Sequence, residues 1–182
     1  MNETYHFYAS SLLDDGFNPE DRDRDDRVYR RFAINDLEGL RAAFDQILSE
    51  GKRIDRLLIE THGSSGAIYF GDQALTFTHI YSWLGHRGYE NLFNYDGFIY
   101  IDGCNVAEWE QGRNFLQRFG GLFFKLRGGT CGAWTSTGYT NFLTGDKTWH
   151  PFGKYIKVKF PGGGKPQKVF MSLVGIEMDV EI

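Results

Sequence analysis

Short apolar runs alternate along this chain with stretches in which apolar residues recur at helical spacing. The first pattern predicts buried strands and the second amphipathic helices. Residues 5–9 read as a first strand. Residues 35–50 predict a helix, with Asn35 as cap, Glu38 at the capping-box position, and Leu37, Leu40, Phe44, Ile47 and Leu48 forming one stripe before Gly51. Residues 53–61 predict the next strand, ending at His62-Gly63-Ser64-Ser65-Gly66. Two runs, 67–70 and 73–77, flank Gly71-Asp72 as a hairpin. A short helix follows at 78–86, then a buried strand at 98–101 between Gly97 and Gly103. Residues 105–119 predict a helix stopped by Gly120-Gly121. Residues 122–126 fit either a strand or the end of that helix. A strand rich in small residues follows at 129–135, then a loop at 136–148. Strands at 155–160 and 169–174 are joined by a turn through 161–164 and Pro166. The alternation predicts an α/β fold with a mainly parallel sheet flanked by helices and a β-rich C-terminal part. No repeat or linker interrupts it, so residues 1–182 read as a single domain.

Composition narrows the partners. A formal net charge of -4 gives no reason to expect nucleic acid or an anionic membrane. Residues 14–31 crowd both signs of charge and read as a solvated loop, whereas Lys154, Lys157, Lys159, Lys165 and Lys168 read as the outer faces of strands. Two cysteines make no disulfide framework, which points to a reducing compartment. The first residues, Met1-Asn2-Glu3-Thr4, lack a basic or apolar leader, and no apolar run approaches membrane-spanning length. A cytoplasmic location is therefore expected.

The candidate chemistry lies where strands end. Cys104 follows the 98–101 strand at the mouth of the predicted helix, where backbone N–H groups favour a thiolate. His62 follows the 53–61 strand. In a parallel sheet the C-terminal strand ends share one edge, and consecutive strands are commonly neighbours. His62 and Cys104 are thus expected to meet across a cleft as acid/base and nucleophile. Gly63 has no side chain to block approach to its N–H, so it suits an oxyanion hole together with the N–H of Cys104. The competing reading is a small buried cysteine and an isolated histidine. Cys131 reads as core. His79 and His86 read as surface or capping residues, and His6 and His150 have no partner at recognisable spacing. No metal-ligand set is evident, and no metal or cofactor is expected. Gly162-Gly163-Gly164-Lys165 lacks phosphate-loop spacing, and G-S-S-G is not a serine-hydrolase elbow.

T-H-G-S-S-G after one strand, then a hairpin and a helix, then Y-I-D-G-C-N-V-A-E after the next strand, resembles the caspase-like (clan CD) cysteine peptidases. That clan includes caspases, metacaspases, paracaspases, separases and gingipains. The G-C-N-x-A step is most similar to CHAT-type and related bacterial domains, and the likeness spans about residues 53–138. The resemblance implies a three-layer sandwich and a protein or peptide substrate. It also implies Cys104 as nucleophile, His62 as acid for the leaving amine, and Gly63 and Cys104 N–H groups as oxyanion hole. Asp102, two before the cysteine, matches the metacaspase and paracaspase position that lines a pocket for Arg or Lys. Its alternative role is to cap the following helix. Asp14 or Asp15 would add a second carboxylate, and Arg22 to Arg31 would suit self-cleavage. The caspase Q-A-C-x-G pattern is missing, so strict aspartate specificity is not implied. A silent protein-binding domain of the same fold, or acyl transfer to an amine, are the alternatives.

Overall fold

The computed structural model describes residues 3–22, 28–85, 87–137, 153–163, 168–173 and 176–179. The chain opens with β1 (Thr4–Ala9), β2 (Val28–Ile34), α1 (Leu37–Ser49) and β3 (Ile54–Glu60). Three short strands, β4 (His62–Ser64), β5 (Ala67–Phe70) and β6 (Gln73–Thr76), form a separate antiparallel sheet ahead of α2 (Ile80–Leu84). Then come β7 (Phe93–Asp102), α3 (Trp109–Phe124), β8 (Gly129–Trp134), β9 (Tyr155–Phe160), β10 (Lys168–Leu173) and β11 (Ile176–Asp179). The main sheet runs β11-β10-β9-β8-β7-β3-β1-β2. Strands from β2 to β8 are parallel and those from β9 to β11 antiparallel. The fold is α/β with a mainly parallel central sheet and a β-rich C-terminal part.

Register sorts the side chains into two faces, because neighbours in register point the same way. Tyr5, Leu57, Ile99, Cys131 and Val158 form one row, and Phe7, Ile59, Ile101, Ala133 and Ile156 the next. Both rows are buried. Helices cover them. Phe44 of α1 packs 5.1 Å from Phe7 and 5.1 Å from Phe123 of α3, and α2 touches both α1 and α3. A Cβ on Gly120 would meet Phe160 at 2.5 Å and the Cys131 Cβ at 2.8 Å. Glycine there lets α3 lie flat on the sheet, so Gly120-Gly121 does not stop the helix, and residues 122–124 are its last turn.

All three described helices therefore share one face. The expected helical layer on both faces is not met among the described residues. The reason lies in the opposite rows: His6, Leu58 and Tyr100 sit together, as do Tyr8, Glu60 and Asp102, and Arg56 with Phe98. Such a surface is too polar to bury under a dry helix. Near β1 it is covered instead by Phe17, whose ring centroid lies 6.2 Å from that of His6 and 5.9 Å from that of Tyr8.

Other local expectations shift with identifiable causes. The charged block is not all loop: Val28–Ile34 is an edge strand whose Arg30 reaches Glu50 at 2.8 Å, and two 3-10 turns (Ser10–Leu13, Pro19–Arg22) precede it. Arg30 and Arg31 are thus in a strand, not in an open cleavage segment. The cap of α1 is Asp36, which accepts the Gly39 N–H at 2.7 Å, while Asn35 is engaged by Ser10. Helix α3 begins at Trp109 rather than Asn105. Residues 138–148, His86, His150, Lys165, Pro166 and Val174 lie outside the described residues. Among the described residues no helix is long and apolar enough to cross a membrane.

Candidate active site

β3 and β7 are adjacent and parallel, with Glu60 opposite Asp102. Two residues further on, the same two chains carry His62 and Cys104. Their pairing persists past the strands, since Thr61 N–H donates to the Asp102 carbonyl at 3.1 Å. The next contact depends on glycine. A Cβ on Gly63 would lie 2.7 Å from the Cys104 carbonyl oxygen, 3.1 Å from its nitrogen, and against the Val106 methyl. A Cβ on Gly103 would lie 3.1 Å from the Thr61 oxygen and 3.6 Å from the Gly63 Cα. A real Cβ does not approach backbone to 2.7 Å and seldom to 3.1 Å, so Gly63 above all, and Gly103 to a lesser degree, allow the His62-Gly63 and Gly103-Cys104 backbones to touch.

The loop after the cysteine is held from both sides. Asn105 adopts a left-handed conformation (φ 58°), which asparagine tolerates better than most residues. Its N–H donates to Ser136 O at 3.1 Å, and Ala107 N–H donates to Trp134 O at 2.9 Å. On the other side Gly66 N–H donates to Val106 O at 3.1 Å and Ser65 Oγ to Glu108 O at 2.5 Å. Cys104, half-buried, is therefore fixed by a turn clamped between two neighbouring segments. The helix begins five residues later, so the expectation of a thiol at a helix mouth is corrected: the clamped turn, with its own hydrogen bonds, intervenes. The same observation removes the capping role of Asp102, because the cap position of α3 is Glu108. Asp102 instead ends β7, 6 % exposed, on the polar face beside Glu60.

The two acidic candidates from the first loop separate. Asp15 Oδ2 lies 3.4 Å from His62 Nε2, with both side chains more than half exposed. Asp14 is exposed and closes the first 3-10 turn through its N–H. The loop thus delivers Asp15 to the histidine.

One buried pair escaped the sequence reading. His6 Nε2 and Glu60 Oε2 are 2.8 Å apart, both inaccessible to solvent, directly behind the strand end that carries His62. The available signal was a glutamate closing the apolar run Leu57-Leu58-Ile59, together with the period-two placement of His6 and Tyr8. The polar face also holds Tyr155, whose hydroxyl is buried with no hydrogen-bond partner among the described residues. Burial first, then the charges of Tyr100 and Asp102, push its pKa well above the usual tyrosine range. Trp134 Nε1 donates to Tyr100 OH at 2.8 Å beside it. On the opposite face, burial drives the Cys131 thiol far above its ordinary range, keeping it neutral, and neither cysteine is in a disulfide. Among the described residues no three His, Cys, Asp or Glu side chains group to hold a metal ion.

The fold and this edge define an α/β protein with a histidine and a cysteine on adjacent parallel strand ends. A family model described as a domain of unknown function, DUF4347, matches residues 30–123. That is more than half of the chain, and the chain belongs to this family. The matched segment contains His62, Gly63, Asp102 and Cys104 but neither Asp14 nor Asp15. No curated protein matches the chain. Among solved structures, a short-chain dehydrogenase/reductase of Serratia marcescens aligns at 14% identity and a TM-score of 0.26, covering 66% of this chain. The chain spans 64% of that protein, less than two thirds of its length. A likeness that low carries no argument about function.

Proposed function

We propose that this chain is a caspase-like cysteine endopeptidase working through a His62/Cys104 dyad and cutting after basic residues. The observation that supports it best is the register of β3 with β7, which sets His62-Gly63 against Gly103-Cys104 at the C-terminal edge of the sheet. In the proposed reaction Cys104 passes its proton to His62 and its sulfur bonds the substrate carbonyl carbon, while the N–H groups of Gly63 and Cys104 hold the developing oxyanion. His62 then protonates the leaving amine as the C–N bond breaks. Water, losing a proton to His62, attacks the thioester and releases the acid, and the proton returns to sulfur. Asp15 orients the imidazole in this scheme and is not a pocket residue. Asp102, buried beside Glu60, supplies the carboxylate that selects Arg or Lys by opposite charge.

The test is turnover of fluorogenic peptides ending in Arg, Lys or Asp by wild type, Cys104→Ala and Asp102→Ala. Loss of all cleavage in Cys104→Ala is expected, and selective loss of Arg and Lys turnover in Asp102→Ala. Equal turnover by Cys104→Ala would remove the dyad, and equal turnover of all three peptides by wild type would remove the basic pocket.

A further inference from the structure

A cleft of about 960 Å³ lies beside the clamped loop that follows Cys104. It is lined by Ser65, Ala107, Trp109, Arg113, Lys154 and Ile156, among others. Its walls are the segments that fix the cysteine: the turn after β4, the loop leading to α3, and the ends of β8 and β9. Trp109 stands at its rim, 72 % exposed and held at φ 57°. A left-handed backbone is a strained conformation for so bulky a residue. Burying an indole elsewhere would be favourable, so leaving this one in water beside a large concavity marks a contact surface. The charges at the rim cancel: Glu108 and Glu110 oppose Arg113 and Lys154. The floor is apolar, through Ala107 and Ile156. A cleft of this volume, with an apolar floor and Trp109 set in a mixed polar rim, is of the size that holds a side chain with its flanking peptide.

We infer that this cleft is a second specificity site, which takes an uncharged aromatic or large aliphatic side chain of the polypeptide substrate against Trp109. The inference rests on the peptidase reading for the identity of the ligand. Ala107 is three residues from Cys104, so their Cα atoms are at most about 11 Å apart, and the side chain received lies within about three extended substrate residues of the scissile bond. Selection by this site is independent of Asp102, which is not among the residues lining it.

The experiment has two arms, both on the full chain. In the first, internally quenched peptides with one basic residue are varied at the three positions on either side of it, and turned over by wild type, Trp109→Ala and Trp109→Phe. The expected result is a preference for Phe, Tyr or Leu at one position. Trp109→Ala lowers kcat/KM about tenfold for those peptides and leaves Gly-containing ones unchanged, and Trp109→Phe restores most of the preference. Labelling of Cys104 by iodoacetamide stays equal in all three proteins. An unchanged side-chain profile in Trp109→Ala would overturn the inference. In the second arm, Cys104→Ala and Cys104→Ala/Trp109→Ala are titrated with the same peptides by fluorescence anisotropy. About tenfold weaker binding of aromatic peptides by the double variant supports the site even where wild type cuts nothing, and equal binding overturns it. Trp109-dependent binding in the second arm, with no cleavage by wild type in the first, removes the dyad and leaves the cleft.

Discussion

The two faces of the central sheet differ in what they ask of their side chains. On the helix-covered face, Phe7, Phe44, Phe93, Phe119 and Phe123 interlock with ring centroids 5.1 to 5.4 Å apart along the chain of contacts, and Cys131 lies sealed among apolar groups. On the other face, His6 meets Glu60, Tyr100 accepts from Trp134, and a buried hydroxyl on Tyr155 has no partner among the described residues. The first face stabilises by removing carbon from water. The second face spends part of that stability on polar groups that an apolar core would exclude, and it does so next to the strand ends that carry His62 and Cys104. Two cysteines on neighbouring strands illustrate the difference: Cys131 is packed and neutral, while Cys104 is half-exposed in a clamped turn.

Substitutions sharpen this contrast in a definite order. Phe123→Ala should cost about 4 kcal/mol in urea unfolding, because the ring touches both α1 and the sheet-facing aromatics and its cavity cannot close. Glu60→Leu should cost about 3 kcal/mol, since it leaves buried His6 without a partner on Nε2 while Nδ1 already lacks one. Glu60→Gln keeps an acceptor and should lose less than half as much. If Glu60→Leu proves neutral, the His6–Glu60 pair does not hold the polar face together. Gly63→Ala should cost about 2 kcal/mol by forcing the β3 and β7 extensions apart, and it should lower Cys104 reactivity without altering core packing, as near-ultraviolet circular dichroism will show. Tyr155→Phe is the smallest effect and has the opposite sign. Removing an unpartnered buried hydroxyl should stabilise by about 1 kcal/mol at neutral pH. The folded state holds the Tyr155 proton above its ordinary value of 10.0, so the folded protein loses stability as pH rises past that value. The advantage of Tyr155→Phe therefore widens above pH 10, and thermal melts at pH 7 and pH 10.5 measure it.

Much of the helix-covered face was legible in the chain because it obeys one rule at a time. Apolar runs marked β3, β8 and β9, and the stripe from Leu37 to Leu48 marked α1. The juxtaposition of the His62 and Cys104 strand ends followed from the habit of consecutive parallel strands to pair. What escaped did so where tertiary contacts override local pattern. β2 is too charged to read as a strand, yet as an edge it needs only Ile34 in the core and Phe32 against Phe7 while Arg30 reaches Glu50. Gly120-Gly121 looks like a stop, but Gly120 is where the helix meets the sheet. Val106 fits a helical stripe, although its loop is held instead by hydrogen bonds from Trp134, Ser136 and Gly66, residues far away in sequence. The His6 and Glu60 pair joins strands 54 residues apart, a separation no local spacing reveals. The cleft at Trp109 joins residues from the β4 turn, the loop after Cys104 and the ends of β8 and β9, which no local pattern brings together.

The central claim is that His62 and Cys104 act as one unit. The most direct measurement is the rate at which an arginyl acyloxymethyl ketone labels the full chain, followed by intact mass and by mapping the modified residue, for wild type, His62→Ala and Cys104→Ala. The account predicts a single adduct on Cys104 in wild type, a rate at least about a hundredfold lower in His62→Ala, and no adduct in Cys104→Ala. Labelling of His62→Ala at the wild-type rate, or an adduct on Cys131 in its place, would contradict it.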